Sequence, residues 1–440
     1  MNHTIRTALL ALAMGSWGCR RVASDASSPR PVTALDARPP RPAQTPPTAA
    51  PPDAPGGPDG GDGWRPARVV LPAPFATPSA NNPPRIVRRP AGVAPTGPGL
   101  VAAVWADGLQ GGRWMAQSPS GEVFVAEHES GRVVVLADAD RDGRADRGRT
   151  VFAADLPLPF GLAFHPGGWL FVGCTDRVLR YAYRPGQREA AGDPTRVASL
   201  PGRGYNQHWT RNVAVSPDGA RVFVTVGSAT NVDPDPDPRR AAISVMGVDG
   251  AGFRVFASGL RNPIGMAFHP RTGALFTVVN ERDELGDDLV PDYLTEVHEG
   301  AFYGWPYAYF GPHEDPRRRG ERPDLVARAR VPDFSLGAHV APLAVTFPTR
   351  GALGVPVGDA LVSLRGSWNR AQPAGYKVVR VRFEGGHPVA MEDFLTGFTL
   401  PDGGVYGRPV GLVEMQDGSL LLADDAANVL WRVTAAPPQP

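Results

Sequence analysis

One pattern recurs six times in this chain of 440 residues: an apolar run with alternating side chains, a turn built on Pro, Asp or Gly, and a second β-rich run. The alternation is typical of half-buried strands, and the turn residues are typical of hairpins. The copies are spaced by roughly 50 residues, with two longer intervals, which is the spacing of propeller blades. They cover residues 114–125, 160–170, 212–224, 264–276, 343–363 and 410–422.

The repeat predicts an all-β fold, a six-bladed β-propeller spanning residues 99–434 and followed by a short tail at 435–440. No long segment shows a sustained apolar period of 3.6 residues, which argues against helices. A single blade cannot bury both of its faces, so we expect closure of the ring to stabilise the whole domain. The alternating run at residues 100–105 is expected to complete the last blade and close the ring.

Residues 20–98 differ in composition from the rest, because Pro, Ala, Gly and Asp dominate them. Such a stretch has too little apolar surface to offset the entropy lost on ordering it. We therefore predict a disordered, partly polyproline tether before the propeller.

Residues 1–19 predict an export signal: Arg6, an apolar run at 8–14, then small residues and Cys19. The apolar run is too short to span a bilayer. Gly18 and Cys19 resemble a bacterial lipoprotein processing site, after which Cys19 would carry lipid, and an ordinary cleaved signal is the alternative. We expect an exported protein of the cell envelope, either lipid-anchored through Cys19 or periplasmic or secreted.

Charge and cysteine content exclude several classes of protein. The formal net charge is +1, so no global field favours nucleic acid or an acidic membrane surface. Cys174 is the only cysteine besides Cys19, which excludes a disulfide framework and indicates a buried small side chain. His165 and His269 precede Pro at the same turn of two copies, so we expect structural roles for both.

Polar residues lie just outside the predicted blade strands, where the loops of a propeller converge over the central channel. The guanidinium of Arg261 suits a carboxylate or carbonyl oxygen, and Asn262 beside it can donate or accept. The imidazole of His208, which precedes the third copy, suits proton transfer near neutral pH. A local ion pair for Arg261 and a capped loop position for His208 are the structural alternatives.

Two further segments carry charge. Residues 281–288 are rich in carboxylates and backbone carbonyls, the oxygen ligands that calcium takes, although a solvated acidic loop is the alternative. Arg365, Arg370 and Arg408 lie late in the chain with Trp368 among them. Several cations and an aromatic face are what a planar polyanion needs.

Four strings in these segments resemble the glucose/sorbosone dehydrogenase family, and its sorbosone-type branch most closely. They are the Arg-Asn-Pro at 261–263, the acidic string at 280–288, the Tyr-Gly-Trp-Pro at 303–306 and the Gly-Ser-Trp-Asn-Arg at 366–370. The resemblance spans residues 100–433. It implies an exported quinoprotein that binds pyrroloquinoline quinone and calcium and oxidises an aldose or another polyhydroxy aldehyde. Hydride would pass to the quinone, and electrons would leave to an unidentified acceptor.

The resemblance also implies roles for individual residues. His208 would be the catalytic base, and Arg261 would stabilise the charge on the reduced cofactor. The implied cofactor contacts are Arg261, Asn262, His339, Arg365, Arg370 and Arg408. The backbone carbonyls of Asp283 and Glu284 would hold the calcium. The glucose-oxidising branch orients its base with an Asp where this chain has Ser228, so Asn231 and Asp233 are the candidates to replace that Asp.

A second calcium candidate lies early in the propeller. Asp138, Asp140, Asp142 and Asp146 occupy positions 1, 3, 5 and 9 of an EF-hand-like loop, with Gly143 at position 6. Position 12 carries Arg149 instead of the usual Glu. We expect either a structural calcium site or a hairpin rich in Asx turns between blade strands.

Two other functions remain open from the sequence. A calcium-dependent lactonase on a six-bladed propeller would need a cage of carboxylates and Asn around one metal in the channel. A non-catalytic surface propeller that binds a sugar or a partner is the other alternative, since fold alone does not fix function.

Overall fold

The computed structural model describes residues 64–66, 69–202 and 208–437, and strands dominate its regular structure. Six four-stranded antiparallel sheets form the blades of a propeller, so the predicted fold class is confirmed. The first strands of neighbouring blades contact one another and form the wall of the central channel. The strand β1 (Leu100–Ala106) comes before the first blade and belongs to the last.

Each blade begins with its channel strand and runs outward. Blades 1 to 3 comprise β2 (Gly112–Gln117), β3 (Val123–Glu127), β4 (Arg132–Leu136), β5 (Thr150–Ala153); β6 (Leu162–His165), β7 (Trp169–Cys174), β8 (Arg177–Ala182), β9 (Thr195–Ser199); and β10 (Val213–Val215), β11 (Arg221–Val226), β12 (Ala242–Gly247), β13 (Arg254–Ser258). Blade 4 comprises β14 (Asn262–Phe268), β15 (Leu275–Asn280), β16 (Pro291–Glu296) and, after an insertion, β19 (Phe334–Ala338). The insertion holds the hairpin β17 (Ala308–Tyr309) and β18 (His313–Glu314), a 3-10 turn (Pro316–Arg318) and helix α1 (Pro323–Arg328).

The ring closes as the sequence predicts. Blade 5 comprises β20 (Pro342–Thr346), β21 (Ala360–Leu364), β22 (Lys377–Glu384) and β23 (His387–Leu395). Blade 6 comprises β24 (Pro409–Glu414), β25 (Leu420–Asp424), β26 (Val429–Ala435) and β1. Leu100 of β1 pairs with Ala435 of β26, so the two ends of the domain share one sheet. The predicted tail at 435–440 is wrong at its first residue, since Ala435 lies in that pairing.

Glycines in the channel strands allow neighbouring blades to touch at their backbones. A Cβ on Gly265 of β14 would lie 2.7 Å from the carbonyl oxygen of Leu343 in blade 5. A Cβ on Gly411 of β24 would lie 2.6 Å from the carbonyl oxygen of Arg113 in blade 1. A side chain at either position would push the blades apart, so these glycines set how closely the loops above them converge.

Residues 69–98 lie along the propeller as an extended strap, so the prediction of a disordered tether over 20–98 is wrong for this part. Val87 donates its backbone N–H to the carbonyl of Val405 at 2.9 Å, and Thr96 pairs with Thr396. Leu71 packs against a buried apolar cluster. The prediction considered only the apolar surface of the segment itself. The propeller, however, supplies residues 69–98 with hydrogen-bond partners and apolar contacts. We call residues 69–98 the strap; residues 1–63 lie outside the described part.

The remaining structural predictions concern single residues. Cys174 is buried and unpaired to any other cysteine in the described chain, and burial raises its pKa to about 12. His165 bonds the carbonyl of Gly219 and the N–H of Gly167, and His269 accepts two backbone N–H groups of its own turn. Both histidines are therefore structural. Among the residues described, no helix is long and apolar enough to cross a membrane.

Candidate active site

A cavity of about 390 Å³ opens where the blade loops converge. Its walls come from the starts of channel strands and the ends of second strands, which lie at one end of an antiparallel blade. Blades 1, 3, 4, 5 and 6 contribute. The lining residues are Arg113, His208, Trp209, Thr210, Arg261, Asn262, Ile264, Asn280, Glu281, Asp283, Asp292, His339, Ala341, Leu343, Arg365, Gly366, Trp368, Asn369 and Arg408.

The structure brings most of the predicted site residues together at this cavity. Those that line it are His208, Arg261, Asn262, Asp283, His339, Arg365 and Arg408. Two of the residues predicted to hold the quinone or its calcium do not line it. Arg370 instead pairs with Asp288 at 2.8 Å. The side chain of Glu284 is 70% exposed.

The imidazole of His208 is held in one tautomer. Its Nδ1 lies 3.2 Å from both the carbonyl oxygen and the hydroxyl oxygen of Ser228. That hydroxyl donates its hydrogen to the carbonyl of Thr230 at 2.7 Å, so towards His208 it can only accept. Nδ1 therefore carries the hydrogen, and Nε2 is the nitrogen with the lone pair.

Ser228 itself takes the orienting position, so the expectation that Asn231 or Asp233 replaces the missing Asp is wrong. Asn231 bonds Arg261, and Asp233 pairs with Arg318 on the surface. Burial, followed by the charge of Arg261, lowers the pKa of His208 well below its usual value. The imidazole is therefore neutral at pH 7 and able to accept a proton.

Arg261 forms the floor of the site beside His208. Its guanidinium donates to the carbonyl of Glu281 at 2.5 Å, the side chain of Asn231 at 2.9 Å and the carboxylate of Asp283 at 2.9 Å. The side chain is only 3% exposed, so these bonds fix its orientation. The local ion pair considered from the sequence is thus present, and the same side chain also faces the cavity.

Three more arginines line the same cavity, and we define Arg113, Arg365 and Arg408 as the cationic wall. They surround one carboxylate, Asp425, whose Oδ2 lies 3.0 Å from Arg113 Nε and 2.8 Å from Arg365. Burial has the largest effect on the pKa of Arg113 and lowers it. The charge of Asp425 raises this pKa and the other two arginines lower it, and the resulting pKa is about 9. Asp424 is a second buried carboxylate beside Arg408, so the three arginines still outnumber the carboxylates around them.

The cationic wall has an unsatisfied hydrogen-bond donor as well as an excess of positive charge. Burial and the neighbouring charge of Arg365 lower the pKa of Arg408 to about 10, so it still carries its charge at pH 7. Arg408 Nε is buried without a hydrogen-bond partner among the residues that the structure describes. A buried unpaired donor costs free energy unless a ligand or water satisfies it. An anionic group in the cavity would satisfy the donor and balance the charge.

Sequence reasoning missed Arg113 and Asp425. Arg113 lies on β2, and its guanidinium stands 5.5 Å from the ring of Trp209. The signal was available, because Arg113 precedes the first copy of the repeat as Arg261 precedes the fourth and Arg408 the sixth. Asp425 has no comparable signal, since only the three-dimensional closure of the ring brings it beside Arg113.

Asn262 and His208 approach each other across Gly227. A Cβ at Gly227 would lie 2.2 Å from Asn262 Oδ1 and 3.0 Å from His208 Cβ. Asn262 Oδ1 is buried and has no hydrogen-bond partner within the described protein. The amide therefore offers an acceptor to whatever occupies the cavity, and Gly227 makes room for it.

The predicted calcium ligation by the carbonyl of Asp283 does not fit this geometry. The carbonyl of Asp283 already accepts from Arg317 Nη1 at 3.0 Å and from Asn231 Nδ2 at 3.3 Å. A guanidinium on that oxygen would repel a divalent cation. Calcium ligation by the carbonyl of Glu284 stays a prediction, and no step of the reaction is assigned to calcium in this loop.

The aspartate loop between β4 and β5 has a feature of each alternative, clustered carboxylates and Asx turns. The carboxylates of Asp138, Asp140 and Asp142 lie within 4.8 Å of one another. Asp140 and Asp142 accept backbone N–H groups two residues on, as in Asx turns. Asp146 accepts the N–H of Ala139 instead. Calcium binding in this loop stays a prediction.

The fold and cavity define a six-bladed propeller with a buried group of arginines and a neutral histidine lining one cavity. The sequence matches the TrAA12-like family over residues 94–300 and 325–436, and the chain belongs to that family. The predicted resemblance to glucose/sorbosone dehydrogenases is thereby confirmed at the level of the family, and the sorbosone-type branch stays a prediction.

The chain is also similar to individual proteins. An uncharacterised protein of Borreliella burgdorferi is 30% identical over 240 residues, which cover 54% of this chain and 63% of that protein. The pyrroloquinoline quinone-dependent pyranose dehydrogenase of Coprinopsis cinerea is 26% identical over 392 residues, 74% of this chain and 52% of the enzyme. The chain thus spans between half and two thirds of these relatives. The solved quinone domain of the Coprinopsis cinerea pyranose dehydrogenase has the same fold, with a TM-score of 0.67, 23% identity, and coverage of 79% of this chain and 98% of that domain.

Proposed function

We propose that this protein is a quinoprotein that oxidises an aldose or another polyhydroxy aldehyde with pyrroloquinoline quinone. The observation that carries the proposal is that the cationic wall and a neutral, oriented His208 line one cavity. Membership of a family whose relatives include a pyrroloquinoline quinone-dependent pyranose dehydrogenase supports it. When bound, the quinone supplies the hydride acceptor.

The lining chemistry fits a planar tricarboxylate. Arg113, Arg365 and Arg408 supply charge-assisted donors for its carboxylates, and Arg408 Nε is a buried donor that needs a partner. Asn262 Oδ1 is a buried acceptor on another wall. Arg261 lies close to His208, where a guanidinium stabilises negative charge that develops on a carbonyl oxygen.

The protein's own part in the reaction is proton transfer and positioning. Nε2 of His208 accepts the proton of the substrate hydroxyl, or of the hydrate of an aldehyde, as its carbon loses hydride. Ser228 keeps the hydrogen on Nδ1, so Nε2 remains the basic nitrogen. Trp368 lines the cavity and is 37% exposed, so its ring offers an apolar face to a sugar at the entrance.

Titration of the purified protein with the quinone, followed by its absorbance, tests binding directly. Dye reduction with a panel of aldoses and polyhydroxy aldehydes then tests oxidation. We expect saturable binding at micromolar concentrations or below and sugar-dependent dye reduction. Absence of binding at these concentrations would refute the proposal.

The lactonase alternative would take its metal ligands from the cavity carboxylates, and most of their oxygens already have partners. The exception is Glu281 Oε1, which is buried and has no partner among the described residues. Asp283 pairs with Arg261, Asp292 accepts the N–H groups of Glu281 and Ala341, and Glu281 pairs with Arg282. A metal cage would need these oxygens. The non-catalytic alternative is separated by His208→Ala, which should stop oxidation but leave sugar binding largely intact.

Export is part of the proposal. The apolar run after Arg6 and the Gly18-Cys19 pair support a signal, with a lipid anchor at Cys19 as one form and simple cleavage as the other. Labelling cells with a radioactive fatty acid tests the anchor, because Cys19→Ser should abolish labelling. The electron acceptor would then be a component outside the cytoplasm.

A further inference from the structure

The strap binds directly to the acidic loop of blade 4 (residues 281–288). The hydroxyl of Thr77 accepts the N–H of Asp287 at 2.9 Å, and the hydroxyl of Ser79 accepts the N–H of Gly286 at 3.1 Å. Gly286 has a φ of 124°, and a Cβ there would lie 2.9 Å from the carbonyl oxygen of Thr77. The loop is therefore shaped to receive the strap at this point.

The same stretch of the strap binds the loop of blade 5 (residues 365–371). The backbone N–H of Asn82 donates to the carbonyl of Trp368 at 2.8 Å. Its side-chain amide donates to the carbonyls of Arg370 and Ala371, both at 3.1 Å. One segment of six residues, 77–82, thus spans the loops of two blades.

Asp287 joins the three segments. One carboxylate oxygen accepts the N–H of Ala80 in the strap at 2.9 Å. The other accepts the N–H of Ala371 in the blade 5 loop at 2.6 Å. The carboxylate is only partly exposed, so its orientation fixes the distance between the two loops.

From this junction a chain of hydrogen bonds reaches the cavity. The carbonyl of Gly286 accepts from His339 Nε2 at 3.0 Å, which leaves Nδ1 to accept from the amide of Asn369 at 3.2 Å. The same amide donates to Asp283 at 2.8 Å, and Asp283 holds Arg261 at 2.9 Å. His339, Asn369, Asp283 and Arg261 all line the cavity.

We propose that Thr77, Ser79 and Asn82 of the strap are positioning residues of the active site. By holding the loops of blades 4 and 5 in register, they fix the tautomer of His339 and the orientation of Asn369 and Asp283. The strap is then a working part of the site rather than a spacer before the propeller. The consequence for cofactor affinity rests on the proposed function, whereas the positioning of His339 does not.

The test uses the full chain with Thr77→Val and Ser79→Ala combined, which removes two hydroxyl acceptors at little change in volume. The rescue variant is Thr77→Ser alone, which keeps both hydroxyl groups. The matched control is Arg85→Gln, which removes a strap contact to Asp402, on a different loop. Quinone affinity comes from absorbance titration, and ¹⁵N signals of the His339 ring, assigned with His339→Gln, report its tautomer without any quinone.

We expect the double variant to bind the quinone about tenfold or more weakly, since each lost hydrogen bond is worth roughly two- to tenfold. Its His339 ring should show a mixture of tautomers, while Thr77→Ser and Arg85→Gln resemble the wild type. Wild-type affinity together with an unchanged ring signal in the double variant would overturn the proposal. If the wild type binds no quinone, the proposed function fails, and the ring signal alone decides the role of the strap.

Discussion

Replacing Arg408 with Gln tests whether the cationic wall exists to bind an anion or to stabilise the fold. Arg408 lines the cavity with a buried Nε that has no hydrogen-bond partner in the described part of the chain. Burial and the charge of Arg365 lower its pKa from 12.5 to about 10. Each pKa unit corresponds to about 1.4 kcal/mol, so the charge destabilises the quinone-free protein by about 3 kcal/mol at most. Water entering the cavity reduces this figure.

Two effects of opposite sign follow from Arg408→Gln. The quinone-free protein should unfold at a temperature a few degrees higher, since about 1 kcal/mol shifts the Tm of a large domain by roughly 2–4 °C. Quinone affinity should fall about 10- to 150-fold, the worth of one charge-assisted hydrogen bond.

Calorimetry of the quinone-free protein and absorbance titration with the quinone measure both effects on one preparation. The matched control is Arg382→Gln, which removes an exposed arginine paired with Glu384 on the outer face of blade 5. It should change neither quantity appreciably. A fall in stability of more than 2 kcal/mol with unchanged quinone affinity, the scale of losing a buried ion pair, would show that Arg408 is a structural residue and refute the reasoning.

Four further predictions follow from the site. Ser228→Asp should raise the pKa of His208, because a carboxylate favours the imidazolium. The acid limb of the pH profile of kcat/KM should therefore move to higher pH. In the wild type this limb should lie below about pH 6.5. An unmoved limb would mean that Ser228 does not contact the base. Gly227→Ala should displace His208 and Asn262 and lower kcat at least about tenfold, whereas Gly186→Ala on a surface turn should not. Trp368→Ala should raise KM for the sugar severalfold without changing quinone affinity, and Trp368→Phe should restore it; a change in quinone affinity would instead place the ring on the cofactor. Dialysis against a chelator should release calcium from the loop of Asp138, and Asp140→Asn should prevent rebinding; equal calcium content in both proteins would exclude that loop.

The blades were predictable because each repeats the same local pattern. Alternating apolar residues followed by a Pro-Asp-Gly turn specify a hairpin without any distant contact, as in the copy at 212–224. The closing strand β1 was also predictable, since it is an alternating run left over at the start of a ring. His208 and Arg261 could be predicted from the sequence because loops next to channel strands must converge over the channel.

Other features depend on contacts that no local pattern contains. The strap is rich in Pro, and its order comes from loops more than 200 residues away, such as the bond between Thr77 and Asp287. For Arg211 the local pattern is present but would suggest the wrong role. It begins a blade like Arg113, yet its guanidinium donates to the carbonyls of His208, Thr210, Pro201 and Gly202 and does not line the cavity. Equal positions in a repeat therefore do not imply equal roles.

The most direct test of the account is a single-turnover measurement on protein loaded with the quinone, mixed rapidly with an aldose and followed by the quinone absorbance. The wild type should show sugar-dependent reduction of the quinone. His208→Ala should bind the quinone with similar affinity and reduce it roughly 10²- to 10⁴-fold more slowly, the contribution of a positioned base. Equal reduction rates in the two proteins would contradict the assignment of His208, and no reduction by any sugar in the wild type would contradict the function itself.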